Sequence, residues 1–199
     1  MTVPSAADVV KVQLRQAWTT ARRSLDGLTD AEYLWEPVSP CWSVRRRADA
    51  ERGWGAGEFC SEDAWPPPDP LPATTIAWKV IHLAAWTDVY RGHAFGDGPV
   101  DLMEMEIPGD RAGGVAWFHR AQDRFIDRVD ALTDEEIFEP RPAHWGESVP
   151  VVQLVSGLMI EHTHHLAEVG VLRDLRRGQA MNPPPPAPIE TPDWWSAPR

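Results

Sequence analysis

Three histidines and a glutamate lie within one run of five residues, Glu161-His162-Thr163-His164-His165. The run sits in an apolar stretch that predicts a helix, and an α-helix completes a turn every ~3.6 residues. Glu161 and His165 therefore share one face, and so do His162 and His165, whereas His164 faces outward. An imidazole beside a carboxylate or a second imidazole offers a ligand pair to a divalent transition metal. Without a metal or hydrogen-bond partners, burying these groups together would be costly.

An earlier helix-like stretch offers one more candidate ligand, His82. It lies on an apolar face with Trp78, Ala85, Trp86 and Val89, which predicts that it points inward. Imidazoles and a carboxylate on the inward faces of helices are what a divalent transition metal needs. The alternative for His82 alone is a hydrogen-bonded core residue without a ligand.

The periodicity of the last helix leaves the third ligand open. Its apolar residues form a stripe of roughly 100°, and His162 and His165 both fall inside that stripe. Glu161 lies just past the edge that is nearer to His165. Spacing alone therefore slightly favours His162 over Glu161 as the partner of His165.

Composition restricts the class of protein. The chain has 199 residues, which suits one domain with a substantial core. A net charge of −11 without a basic patch argues against nucleic-acid binding. We see no signal peptide at the start of the chain and no apolar run near the ~18 residues of a membrane span, so we expect a cytoplasmic protein without a membrane partner. Cys41 and Cys60 are expected to be free thiols.

Four long stretches have helical periodicity, at 6–25, 74–95, 110–132 and 150–176. A long connection rich in Pro, Gly and Trp spans 38–73 and is interpreted as a loop. Four long helices with inward ligands favour an all-α protein, an up-down four-helix bundle with long loops. We assign residues 1–180 to this bundle and residues 181–199 to an extended, Pro-rich C-terminal tail.

A short sequence occurs twice, each time after a long helix. Leu28-Thr29-Asp30-Ala31-Glu32 is echoed by Leu132-Thr133-Asp134-Glu135-Glu136, and each copy is followed by a Glu-Pro pair. In the first copy, Thr29 or Asp30 is predicted to cap a short helix. The echo suggests duplication of a helix-turn-loop unit.

The order of several segments resembles the DinB/YfiT-like superfamily of metal-binding four-helix bundles. The resemblance extends from about residue 8 to residue 177. Its matching segments are Leu28-Thr29-Asp30, Trp35-Glu36-Pro37, Trp42-Ser43, Val80-Ile81-His82-Leu83-Ala84-Ala85-Trp86, Glu161-His162-Thr163-His164-His165-Leu166-Ala167-Glu168-Val169 and Leu172-Arg173. This superfamily includes thiol-dependent S-transferases and the metal domain of mycothiol-dependent maleylpyruvate isomerase.

The resemblance implies a metal site made by His82, His165 and the residue four positions before His165, which is Glu161. Many members have histidine at that position, and the isomerase-like branch has glutamate. We therefore expect Glu161 rather than His162 to be the third ligand. Trp35, Trp42 and Trp145 lie in segments that ring the mouth of the metal pocket in the resembled bundles, so they are candidates for substrate binding, with core packing as the alternative.

The expected function follows from the resemblance and from metal chemistry. Three protein ligands leave open positions on one divalent metal, with Zn or Ni expected, and such a metal activates a bound thiol or water. We expect a transferase that uses a low-molecular-weight thiol to attack a small electrophilic substrate, with His162 relaying the proton. The alternatives are metal-dependent hydrolysis and a non-catalytic bundle that binds a metal or a ligand.

We also expect a homodimer. Bundles of the resembled type often dimerise through helix faces left apolar. The tail of this chain contains Trp194-Trp195, and an exposed pair of tryptophans is unfavourable in water. This pair is a plausible anchor to the domain or to a second subunit.

Overall fold

The computed structural model describes residues 4–181, so the predicted tail and its Trp194-Trp195 pair lie outside the described residues. The described part is mostly helical. Its helices are α1 (Ala6–Ser24), α2 (Asp30–Tyr33), α3 (Ile76–Phe95), α4 (Arg111–Asp130) and α5 (Val151–Met181). The four long helices confirm the four predicted ones, and α5 continues past its predicted end at residue 176. No helix among residues 4–181 combines the length and the apolar character needed to cross a membrane.

The described residues also contain short strands, which the all-α prediction did not include. The strands are β1 (Cys41–Trp42), β2 (Val44–Arg46), β3 (Gly53–Trp54), β4 (Phe59–Glu62), β5 (Ala73–Thr74), β6 (Pro140–Pro142) and β7 (Ser148–Pro150). They form an antiparallel sheet in the order β2-β4-β3, a parallel β1-β5 pair and an antiparallel β6-β7 hairpin. Segments of two to four residues are too short to show an alternating pattern, so the sequence of the 38–73 connection does not reveal its strands.

Side-chain caps fix where several helices begin. The Thr29 hydroxyl accepts a hydrogen bond from the Glu32 backbone N–H, and the Glu32 carboxylate accepts one from the Thr29 N–H, which confirms Thr29 as the cap of α2. Thr133 and Glu136 repeat the same pair of hydrogen bonds. The sequence echo is therefore a repeated capping box, placed after α1 and again after α4.

The directions of α3 and α4 correct the predicted topology. Near the middle of α3, Asp88 accepts a hydrogen bond from Arg124 at 2.9 Å, and at its end the Phe95 carbonyl accepts one from Arg128 at 3.1 Å. Contacts that advance together along both helices mean that α3 and α4 are parallel. The alternating up-down order is therefore wrong for this pair.

The connection 96–110 makes the parallel pair possible. It starts at Gly96, where a left-handed φ of 73° ends α3, and the Met105 carbonyl further on accepts a hydrogen bond from the Ala56 N–H at 2.6 Å. An extended chain covers ~3.3 Å per residue, so this segment reaches about 50 Å and can return along the ~30 Å length of α3.

Two ion pairs and a hydrogen bond show how α1 lies against α4 and α5. On α1, Arg15 pairs with Asp130 and Arg22 pairs with Asp123, so α1 and α4 are antiparallel. The backbone carbonyl of Ser24, at the end of α1, accepts a hydrogen bond from Arg173, on the far half of α5.

The helix α3 sits at the centre of the fold. It packs against α4 and α5, and the strand region covers much of its remaining surface, where Trp78 Nε1 donates to the Glu62 carbonyl at 2.6 Å. The pairs Lys79–Glu168 and Thr87–His162 run in opposite senses along α3 and α5, so these two helices are antiparallel. Burial on nearly all sides fixes the position of α3 and of the histidine that it carries.

Candidate metal centre

Two helices bring three potential ligands together. His82 comes from α3, and Glu161 and His165 come from successive turns of α5. One ligand atom from each residue lies within 4.8 Å of the other two. His82 Nε2 is 3.6 Å and His165 Nε2 is 3.5 Å from Glu161 Oε2. The sequence predicted these three residues as a group, and the structure places them as a group.

The distances fit a small divalent cation. Zinc binds imidazole nitrogen and carboxylate oxygen at ~2.0–2.2 Å, and tetrahedral bonds of that length separate two donors by about 3.4 Å. The two measured N···O distances of 3.6 and 3.5 Å are close to that separation. Two imidazoles and a carboxylate suit Zn, Ni, Fe and Mn. The donor set therefore fits a divalent metal, and three protein donors leave positions open.

The protonation states also favour a metal. Burial lowers the pKa of His82, which leaves its imidazole neutral at pH 7 and able to donate a lone pair. The neighbouring imidazoles of His165 and His82 hold the pKa of Glu161 well below its usual range, so this carboxylate is ionised. Two imidazole nitrogens and an anionic oxygen that face one another are a favourable set of donors for one divalent cation.

The structure separates His162 from this group. Its side chain is buried, with 1% exposed, and its ring lies between Trp18 and Phe118 with centroids 5.6 Å from each. Nδ1 lies 3.0 Å from the Leu158 carbonyl and Nε2 lies 3.4 Å from the Thr87 hydroxyl. Burial lowers the pKa of His162 to about 4, so the ring is neutral at pH 7.

The position of His162 explains why helical spacing favours it over Glu161 as the third ligand, although the structure places Glu161 in the group. The centre of an apolar stripe points into the core, and His162 follows it there. The metal-type cluster lies at the edge of the stripe, where Glu161 is 40% exposed along its side chain. Both ring nitrogens of His162 contact core groups, so its contacts are those of a packing residue. Its predicted role as a proton relay stays a prediction.

Aromatic side chains form one wall of the site. Residues at four-residue intervals on α3 share a face, and they are Trp78, His82, Trp86 and Tyr90. Trp78 stacks on His82 with centroids 4.7 Å apart and planes at 15°, and Trp86 lies 6.0 Å from His82 on the other side. The metal-facing side of α3 is therefore lined by planar apolar rings.

The β6-β7 hairpin adds a histidine that sequence reasoning missed. The His144 ring lies 4.8 Å from Trp86 and 5.2 Å from Tyr90, and burial lowers its pKa. No spacing rule links His144 to α3, because the contact depends on how the hairpin folds over the helix. The helical pattern of α3 predicts packing for Trp86 and gives no role to Tyr90, whereas the structure places both against His144.

The three predicted pocket tryptophans take different positions. Trp42 stacks on Trp78 at 6.4 Å and so lies one ring away from His82. Trp145 is exposed and touches the outer side of His144 at 4.7 Å. Trp35 lies under Arg176 at 5.8 Å, about 16 Å along α5 from His165 at ~1.5 Å per residue. The contacts bring Trp42 and Trp145 to the rim of the site and leave Trp35 outside it.

One further group contacts a ligand directly. Glu168 Oε2 lies 2.8 Å from His165 Nδ1. The spacing of three residues on one helix could have revealed this contact, since such residues share a face.

A mostly helical fold with a two-histidine, one-carboxylate centre between helices defines a class of metal-binding helical proteins. A family model for the DinB superfamily matches residues 13–169. The chain belongs to the DinB superfamily, which confirms the resemblance seen in the sequence. No curated protein matches the chain.

Proposed function

We propose that this protein is a metal-dependent transferase that joins a low-molecular-weight thiol to a small electrophilic substrate. The observation that carries the proposal is the convergence of His82, Glu161 and His165 within 4.8 Å, in a chain of the DinB superfamily. Three protein donors leave room for a reactant, as in catalytic rather than structural metal sites. Zn or Ni is the proposed metal.

The residues around the centre have separate proposed roles. His82, Glu161 and His165 hold the metal, and Trp78 and Trp86 give the substrate an apolar, planar wall. A divalent metal at this position would lower the pKa of a thiol or a water molecule in an open coordination position. His144, neutral at the rim, offers a hydrogen bond to a bound reactant. Trp42 and Trp145 complete the rim on opposite sides.

The protein's own thiols support an external one as the nucleophile. Cys41 and Cys60 are both buried and free. Burial raises the pKa of Cys41 to about 11, and it also raises that of Cys60, so neither is a thiolate at neutral pH. A thiol nucleophile at this site would therefore come from a small molecule.

Location and assembly complete the proposal. We propose a cytoplasmic protein, because two unpaired cysteines suit a reducing compartment. We also propose a homodimer, because apolar side chains stay exposed on the outer faces of α1 and α5, among them Val12, Ile160 and Val171. The net charge of −11 favours small molecules over nucleic acid as partners.

One experiment tests the function. Purified protein is loaded with Zn or Ni, incubated with a panel of small thiols and one electrophile, and assayed for thiol consumption. We expect consumption that needs the metal and stops when a chelator is added, and none in a His82→Ala variant. Hydrolysis of esters without a thiol would favour the metal-dependent hydrolase. Full metal occupancy without turnover of thiols, electrophiles or esters would favour a non-catalytic bundle.

A further inference from the structure

A line of hydrogen bonds lies directly behind His165. Its Nδ1 is 2.8 Å from Glu168 Oε2, and the same carboxylate oxygen accepts a hydrogen bond from Lys79 Nζ at 2.6 Å. Lys79 Nζ also donates to the Thr74 hydroxyl at 2.6 Å. The line therefore runs from β5 through α3 to the ligand on α5.

The charges make this line specific. Lys79 is buried, with 5% exposed, and an ammonium group at such a position needs an anionic partner. Glu168 is the carboxylate that it reaches. Loss of Glu168 would leave the buried Lys79 ammonium without this carboxylate, so the ion pair favours a Glu168 carboxylate held beside Lys79.

The contact to Glu168 selects one form of the His165 ring. A carboxylate only accepts hydrogen bonds, so Nδ1 must carry the proton in this contact. Nε2 is then the nitrogen with a free lone pair, and it faces Glu161 at 3.5 Å. Glu168 thus leaves the ring with its metal-binding nitrogen directed at the other two donors.

The same pair also connects the two ligand-bearing helices. Lys79 precedes His82 by three residues on α3, and Glu168 follows His165 by three residues on α5. The Lys79–Glu168 contact therefore joins the helices within about one turn of both histidines. By contrast, His164 Nε2 is 3.6 Å from Glu168 Oε1 and its side chain is 65% exposed, so it contributes little to this arrangement.

We propose that Glu168, held by Lys79, is a positioning residue that fixes the ring form and orientation of His165 for metal binding. The inference rests on the metal site of the proposed function. Loss of a carboxylate that orients a histidine ligand typically lowers metal affinity 10- to 100-fold. We expect a loss of about that size here.

The test compares four proteins that carry the complete chain: wild type, Glu168→Gln, the Glu168→Leu/Lys79→Met double variant and Asp174→Asn. The double variant removes the buried Lys79 ammonium together with its carboxylate partner, so no unpaired buried charge remains. Asp174 is exposed on the same helix, so its variant makes the same charge change away from His165. Zn affinity is measured by competition with a chromogenic chelator, and folding is followed by thermal melting.

A second readout does not need metal. Nitrogen-15 NMR of the metal-free protein identifies which nitrogen of His165 carries the proton. We expect the Nδ1–H form in wild type and in Asp174→Asn, and a shift toward the Nε2–H form in the double variant. A role in stability alone would change the melting temperature without changing this ratio.

The outcomes separate this inference from the proposed function. At least tenfold weaker Zn binding in the double variant, with Asp174→Asn equal to wild type, would support the positioning role. Equal Zn affinity in all four proteins would overturn it and leave the metal site standing. If wild type binds neither Zn nor Ni, the proposed function fails. An unchanged His165 ring form in the double variant would then overturn the positioning role as well.

Discussion

The imidazole rings of His82 and His165 meet edge to face across the α3–α5 contact, with centroids 4.9 Å apart and planes at 77°. This orientation leaves both Nε2 atoms beside the same oxygen of Glu161. Imidazole lone pairs lie in the ring plane, so two stacked rings would direct them side by side rather than toward one point. The angle between the rings is thus what allows three donors to share one centre, and it depends on the packing of two antiparallel helices.

The first prediction concerns metal content. We expect about one divalent metal per chain after reconstitution, and loss of that metal in His82→Ala and in His165→Ala, because each removes one of three donors. Elemental analysis of desalted protein measures it. His164→Ala is the matched control, since His164 neighbours His165 but is largely exposed. Full occupancy in both ligand variants would contradict the assignment.

The second prediction separates Glu161 from His162. Glu161→Gln should weaken metal binding strongly, because an amide oxygen is a poorer ligand for a transition metal than a carboxylate. His162→Gln should leave metal affinity nearly unchanged and lower the free energy of unfolding by about 1–3 kcal/mol, because His162 is packed in the core. Chelator competition measures the metal affinity, and denaturant unfolding measures the free energy of unfolding. The reverse ranking of affinities would restore His162 as the ligand.

The sequence predicts local features such as helices and caps, but it does not predict contacts between segments that are far apart in the chain. The long helices follow from helical periodicity and the Thr29 cap from the residues beside it, and both are local properties. The grouping of His82 with Glu161 and His165 rests on the family resemblance. The parallel α3–α4 pair depends on the path of the connection 96–110, and the short strands depend on pairing between distant segments. The parallel helix pair and the strand pairing both depend on tertiary packing, and helical periodicity contains no information about it.

The same reasoning applies within the site. Choosing Glu161 over His162 required the family resemblance, because periodicity ranks residues by how directly they face the core. Glu168 was within reach of the three-residue rule. Lys79 and His144 were not, since they meet their partners only after α3 has packed against α5 and the hairpin has closed over Trp86.

The third prediction concerns acid stability. Burial alone would raise the pKa of Glu32, but hydrogen bonds from Thr29 and Arg173 outweigh it and lower the pKa to about 2. A carboxylate with a lowered folded-state pKa stabilises the protein above its unfolded pKa of 4.5, and that stability is lost as pH falls from about 4.5 to about 2. Glu32→Gln should therefore cost about 3 kcal/mol at pH 7 and flatten stability between those pH values.

The control for Glu32→Gln is a carboxylate that is exposed rather than buried beside Arg173. Asp174→Asn makes the same change on an exposed residue and should leave the acid transition as in wild type. Urea unfolding at a series of pH values measures both variants. An unchanged pH dependence in Glu32→Gln would show that the contact of Glu32 with Arg173 does not stabilise the fold.

The fourth prediction concerns the aromatic wall. Trp86→Leu should raise KM for the electrophile several-fold and leave Zn affinity within about twofold, because Trp86 flanks His82 but is not one of the three donor residues. Trp65→Leu is the control, since Trp65 is 90% exposed and lies outside the site. Steady-state kinetics beside metal titration separates substrate binding from metal binding. Equal KM values in both variants would remove Trp86 from the substrate wall.

The last prediction concerns the pH dependence of activity. If the thiol reacts as its anion, activity should rise with pH until the thiol is fully ionised and then level off, and it should need metal and thiol together. A His162→Gln variant that keeps its metal distinguishes two roles for this residue. A proton relay predicts loss of the rising limb, whereas a packing residue predicts a lower melting temperature with the limb retained. Because both ring nitrogens of His162 lie against core groups, we expect the second result in pH–rate profiles of the two proteins.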